Sequence, residues 1–208
     1  MSDAELNKTL EKLSSISFCA QGNLTFQFDS LAHHLNVSFL KDCYTRLDRN
    51  KAVGIDKVSW KEYGESLDEN LDTLVSNLKR KTYNPLPSRR VYIPKGNNAV
   101  RPLGISAIEN KIVESGIARI IGSIYEVDFF DFSYGFRPKK NAHQALKAIG
   151  DSINNKPVNY IVEADIKGFF DNVEHDLLLN FLRIRITDSS LLFLIEKFLK
   201  AGYIDNSH

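Results

Sequence analysis

The twelve residues Tyr160-Ile-Val-Glu-Ala-Asp-Ile-Lys-Gly-Phe-Phe-Asp171 carry the reading of this chain. From Val158 to Asp165 the side chains alternate. Val158, Tyr160, Val162 and Ala164 fall on one side; Ile161, Glu163 and Asp165 fall on the other. That period predicts a strand over 158–165. A carboxylate at the end of an apolar strand is an unusual place for charge, and a rigid element projects it well as a metal ligand. Hard oxygen donors of this kind suit Mg²⁺, so Asp165 is the candidate ligand. Glu163 shares its side of the strand and either joins it or pairs with a Lys or Arg. Gly168 permits unusual backbone angles and close approach of a ligand. The amides of Gly168, Phe169 and Phe170, at a strand-to-helix turn, suit phosphate oxygens. Phe170 is placed to wall a sugar pocket; for Phe169, core packing is preferred. Asp171 with Glu174 fits a capping box and is read as a helix cap in preference to a metal ligand.

Working outward, two helices are expected at about 173–184 and 188–200. Upstream, Asn141 starts a helix with Ala145, Leu146, Ile149 and Ile153 on one face, after loop-like residues 126–140. Ser106 and Glu109 predict a capping box before a helix burying Ile108, Ile112, Val113, Ile117, Ile120, Ile121 and Ile124, where Gly116 and Ala118 allow close approach. Residues 89–94 and 100–105 read as a hairpin around Lys-Gly-Asn-Asn. Two further boxes, Ser59 with Glu62 and Ser66 with Glu69, start helices, the second carrying Leu67, Leu71, Leu74, Val75 and Leu78 and ended by Pro85 and Pro87. Residues 50–58 read as a turn, 36–48 and 3–14 as helices, and 15–28 as loop or a short extended piece. The pattern is α+β, helix-rich.

Charge is nearly balanced over the 208 residues, 27 Lys and Arg against 26 Asp and Glu, so only its distribution is informative. From Lys79 to Arg101 the basic residues are Lys79, Arg80, Lys81, Arg89, Arg90, Lys95 and Arg101, with no Asp or Glu among them. Tyr83 and Tyr92 lie within this stretch, and aromatic rings beside basic groups suit nucleic acid. A merely solvated basic face remains the alternative. Arg137, Lys139 and Lys140 form a second basic cluster.

Much other chemistry drops out. The five histidines have no zinc-type spacing, and there is no Gly-x-Ser-x-Gly elbow or Walker loop. Cys19 and Cys43 are too few for a disulfide framework, which suggests a reduced setting. The acidic start lacks an apolar core, and the longest aliphatic and aromatic run is Leu191 to Ile195. A soluble cytoplasmic protein without a membrane partner is expected.

Four separated blocks resemble the group II intron-encoded reverse transcriptases, or maturases. They are Arg89-Arg-Val-Tyr-Ile-Pro-Lys95, Arg101-Pro-Leu-Gly-Ile105, Ser133-Tyr-Gly-Phe-Arg-Pro138 and Glu163-Ala-Asp-Ile-Lys-Gly-Phe-Phe-Asp171. The resemblance runs from about Phe39 to Tyr203, and residues 1–30 are least covered. It implies the fingers and part of the palm of a right-hand polymerase: an N-terminal extension at 1–45, fingers at 46–125, and partial palm with returning finger helices at 126–208. Asp165 then corresponds to the first catalytic aspartate, a ligand of both Mg²⁺ ions, and Ile166 offers its carbonyl to one of them. Lys95 and Arg101 correspond to the fingertip pair on the incoming triphosphate, with Gly168, Phe169 and Phe170 as further nucleotide contacts. Phe170 discriminates against a 2′-hydroxyl. Lys79, Arg80, Lys81, Arg89, Arg90 and Arg137 are the RNA-binding candidates, and residues 31–49 resemble the segment used for template and intron RNA.

The implied partners are template or intron RNA, a DNA primer and a deoxynucleoside triphosphate. The family places Pro-Gln-Gly-Gly and Tyr-x-Asp-Asp downstream, and neither occurs in these 208 residues. The expectation is therefore part of an RNA-directed DNA polymerase, inactive alone. The alternatives are a non-catalytic splicing cofactor that binds intron RNA, or a dimerisation module, a homodimer through uncovered apolar faces.

Overall fold

Ser59 accepts a hydrogen bond from the Glu62 amide (3.2 Å), and the Glu62 carboxylate accepts one from the Ser59 amide (2.8 Å), so the first expected capping box is made. It opens α3 (Trp60–Glu65) in a computed structural model that describes residues 3–95 and 99–205. The other helices are α1 (Asp3–Gly22), α2 (Val37–Arg46), α4 (Leu67–Lys79), α5 (Ile108–Tyr125), α6 (Ala142–Asn155), α7 (His175–Arg185) and α8 (Ser189–Lys200). The strands are β1 (Ser88–Lys95), β2 (Ala99–Ile105) and β3 (Tyr203–Asp205). Helices around one small mixed sheet give the expected α+β architecture.

The core is built around α5. Ile112, Val113, Ile120 and Ile124 are fully covered by α1 and α2, whose Phe39, Leu40 and Cys43 are equally buried. Gly116 permits this approach: a Cβ there would lie 2.7 Å from Leu35 Cδ2 and 3.1 Å from Leu40 Cδ2. Leu71 and Leu74 of α4 enter the same core.

The remaining boxes differ from expectation. Ser66 ends α3 as well as starting α4, and its ψ of 42° leaves the extended geometry that side-chain capping needs. At α5 the cap position is Ala107, so the expected pair is out of register. Ser106 donates instead to Glu114 (3.1 Å), and Glu109 accepts from the Tyr63 hydroxyl (3.2 Å). Asp171 lies in a 3-10 turn (Phe170–Asn172), while α7 starts after Glu174; Asp171 is therefore no cap. The prolines do not stop α4, which ends at Lys79 before Lys81 turns into the left-handed region at φ 60°. Asn141 and Gln144 do form a box, at α6.

Helix α1 runs past residue 14 because Ile16 and Ala20 continue its packed face, while Ser14 and Ser15 return their hydroxyls to carbonyls four residues back. The loop after it is tied to the far end of the chain. Phe28 bridges Ile186, and buried Arg185 binds both carboxylate oxygens of Asp128 (2.8 and 3.0 Å) and donates to the Ala20 carbonyl. Asp188 accepts from four amides, those of Leu31, Ala32, Ser190 and Leu191. Burial pushes its carboxyl up, but those amides outweigh burial and hold it below the usual range.

Residues 158–165 do not form the expected strand. Among the described residues no neighbouring backbone runs beside them, and apolar alternation without a ladder partner does not make a strand. Tyr160, Ile161 and Val162 are 89, 75 and 90% exposed.

Candidate nucleic-acid interface

The hairpin is as expected, with register Arg89↔Ile105, Val91↔Leu103, Ile93↔Arg101 and Lys95↔Ala99; residues 96–98 of its expected turn lie outside the described residues. Alternation puts Arg89, Val91, Ile93 and Lys95 on one face together with Arg101. Arg101 sits opposite Ile93, which makes Lys95 its diagonal neighbour. The two expected triphosphate contacts thus share a face, and both are exposed.

The other basic residues divide by what they touch. Lys79, Arg80 and Lys81 are exposed at the end of α4. Among the described residues, neither these three nor Lys95 and Arg101 pair with a carboxylate. Arg89 instead donates to the Val53 carbonyl from Nε (3.2 Å) and Nη2 (2.8 Å), which holds the 50–58 turn against the sheet. Arg90 lies 3.3 Å from the centroid of Tyr203, brought there by parallel pairing of β3 with β1, and its Nε is buried without a hydrogen-bond partner. Arg137 turns inward: it binds the Glu126 carboxylate (2.8 Å) and the carbonyls of Phe130 and Ser133, and its side chain is 8% exposed.

The two tyrosines also part. Tyr83 is not an accessible ring; it is buried under α5, donating to Asn110 Oδ1 (2.8 Å). Burial, with the nearby Glu109 charge, drives its phenol far above the ordinary range. Tyr92 is exposed and donates to Asp205 (2.5 Å).

At the other candidate centre, Asp165, Glu163 and Ile166 are exposed on the unpaired segment. Gly168 takes φ 62°, the left-handed angle that glycine was expected to supply, and its carbonyl accepts from Asn172 Nδ2 (2.7 Å). Phe169 is half exposed, not core, because no element covers it; Phe170 is 88% exposed, and the two rings meet edge to face at 5.4 Å. Among the described residues, no three His, Cys, Asp or Glu side chains gather to hold a metal ion. Also among them, no helix is long and apolar enough to cross a membrane.

Lys197 and Phe193 of α8 escaped sequence reasoning. Lys197 donates to the carbonyls of Lys81 and Tyr83 (2.8 Å each) and lies 4.8 Å from the Phe193 ring centroid. Its sequence neighbours carry no sign of a contact more than a hundred residues away.

Comparison with known proteins gives this surface its family. The reverse transcriptase (RNA-dependent DNA polymerase) profile matches residues 93–208. The group II intron-encoded protein LtrA of Lactococcus lactis subsp. cremoris is 36% identical over 203 residues, 97% of this chain and 34% of that protein. Protein YkfC of Escherichia coli K12 is 37% identical over 155 residues, 73% of this chain and 41% of its own length. The nuclear intron maturase 1, mitochondrial, of Arabidopsis thaliana is 28% identical over 92 residues, 44% of this chain and 13% of its own length. The chain spans about a third of the length of LtrA, and less than half of YkfC. With more than half of its residues inside the family profile, this chain belongs to the reverse transcriptase family, in its group II intron-encoded branch.

Proposed function

We propose that this chain supplies the fingers and first part of the palm of a group II intron-type RNA-directed DNA polymerase, and that it grips RNA. Residues 1–45 are the N-terminal extension, 46–125 the fingers and 126–208 the partial palm. The observation that carries this reading is two exposed basic groups, Lys79, Arg80 and Lys81 at the end of α4 and Lys95 with Arg101 on one face of the hairpin, none of which pairs with a carboxylate among the described residues. Such groups attract a phosphate backbone and release its counterions. In the complete polymerase, Lys95 and Arg101 take the triphosphate and Phe170 lies against the sugar.

Two-metal phosphoryl transfer needs carboxylates that hold both ions about 4 Å apart. Asp165 is the one matched ligand, with the Ile166 carbonyl beside it, and the described residues do not gather a further donor set around it. The side chains present do not fit a Mg²⁺ pair, so no step of DNA synthesis is assigned to this chain alone. A second reading, an RNA-binding splicing cofactor, draws on the same basic groups together with that single carboxylate.

The test is RNA binding by fluorescence anisotropy across a salt series. Removing one cation that touches a phosphate lowers the slope of log K against log salt by roughly 0.7 for a single strand. Lys95→Ala with Arg101→Ala should therefore flatten it by about 1.4. An unchanged slope, or no binding at low salt, overturns the reading. Primer extension on an RNA template with Mg²⁺ should give no product; extension abolished by Asp165→Ala would place a working centre in this chain.

A further inference from the structure

A pocket of about 230 Å³ opens between the end of α4, the turn at residues 32–35 and α8, at the opposite end of the basic stretch from Lys95 and Arg101. Leu35, Leu78 and Leu194 give it apolar walls, and Phe193 lines it while remaining 43% exposed. Lys79, Lys81 and Lys197 line it as well, with His33, and none of its lining residues is an Asp or Glu. Lys197 is fixed there by the carbonyls of Lys81 and Tyr83, which take two of its three protons and leave one for a ligand. The nearest carboxylate in sequence, Glu196, is engaged by Lys200.

Three ammonium groups that pair with no carboxylate among the described residues select an anion. Apolar walls and a partly exposed aromatic ring, which keeps the Lys197 ammonium 4.8 Å from its centroid, select something flat and apolar attached to it. The volume lies below the roughly 300–1,000 Å³ of pockets for drug-sized ligands, which favours a single ring system over a base pair. Bases of single-stranded RNA are free to splay out and stack on aromatic side chains, whereas paired bases are not. An acidic peptide would satisfy the lysines but leave the apolar walls unused.

We propose that this pocket takes one unpaired nucleotide of single-stranded RNA, its base among the apolar walls against Phe193 and its phosphate at Lys79, Lys81 and Lys197. This rests on the RNA-binding reading above and adds to it a site that reads strandedness. Duplex RNA meets the lysines only; single-stranded RNA also fills the pocket.

The experiment uses the 208-residue chain, a 12-nucleotide oligo(U) and a 12-base-pair RNA duplex, with binding read by anisotropy. Ser190→Trp places a large ring in the pocket and keeps every charge; Phe193→Ala removes the exposed ring and guards against a filled variant that fails to fold. Each should weaken oligo(U) binding about tenfold, the scale of one stacked base, and leave duplex binding within twofold. Lys79→Ala with Lys81→Ala should weaken both. If folded Ser190→Trp and Phe193→Ala bind oligo(U) like the parent, the pocket proposal is overturned. Poly-glutamate displaced by Ser190→Trp as strongly as oligo(U) also overturns it, in favour of an acidic peptide. If Lys95→Ala with Arg101→Ala weakens binding while the pocket variants do not, the RNA-binding reading stands and the pocket falls. If the parent binds no RNA, both fall.

Discussion

Helices α4 and α6 are nearly the same length and carry the same kind of apolar stripe, yet they end in opposite environments. On α4, Leu71 and Leu74 are 0 and 1% exposed, held between α2 and the core around α5. On α6, Leu146 and Ile149 are 66 and 55% exposed, and none of its residues is buried. Two segments whose sequences both predict strands repeat the contrast. Residues 88–95 pair on both edges, with β2 and β3, while residues 158–165, more apolar by sequence, pair with nothing among the described residues. An amphipathic pattern specifies that a face will be buried. It does not specify what buries it.

The largest test of that contrast is truncation on each side. Leu71→Ala should cost about 2–5 kcal/mol, because it loses transfer energy and leaves a cavity. Leu146→Ala should stay within about 0.5 kcal/mol, as for other surface positions. Urea melts read both. A loss at Leu146 as large as that at Leu71, growing with protein concentration, would break the comparison by showing α6 covered by a second copy.

Acid should sharpen it. His34 is buried in the packed half, its ring 3.9 Å from that of His33 by centroids. Burial, then the charges of His33 and Lys12, push it down to about 4. The unfolded chain therefore binds the proton first as pH falls. Stability is complete above about 6.5 and is lost as pH drops towards the folded value. Between pH 6.5 and 5 the loss from this group should reach about 1.6 kcal/mol, a little under the full 1.36 per unit that holds between the two pKa values. His34→Gln should flatten that part of the curve; a parallel curve would assign the acid loss elsewhere.

The smallest effects belong to the exposed half. Asp171 caps nothing, so Asp171→Ala should shift stability by less than about 0.5 kcal/mol. Mg²⁺ below its dissociation constant adds at most about 0.4 kcal/mol, so millimolar Mg²⁺ should barely move the melting point. A large Mg²⁺-dependent rise, absent in Asp165→Asn, would reveal a formed metal centre and reverse the assignment of this half as uncovered.

The hairpin, α2, α4, α5 and the two closing helices were legible because their cues are local; on α4 and α5 the apolar spacing also named most of the buried residues, whereas on α2 it missed Phe39 and Cys43. The capping signals were less dependable. Of the Ser-x-x-Glu spellings at residues 59, 66 and 106, only the one at Ser59 has the backbone angles and the register to make the box. At the basic stretch, residue type separated charged from apolar positions but gave no distinction between Arg89, which holds the 50–58 turn, and Arg101, which faces solvent.

The sequence alone determined the family, most of the helical segments and the hairpin, since helix bonds span four residues and a hairpin closes on itself; the second half of α1 was not among them. Tertiary structure decided the rest. It turned Tyr83 and Arg137 inward, gave 158–165 no ladder partner among the described residues, and set Lys197 against carbonyls of Lys81 and Tyr83 to complete a pocket. It also joined Asp188 to the amides of Leu31 and Ala32. Each of these depends on groups far apart in the chain, and buried polar groups find their partners only when packing brings those groups together.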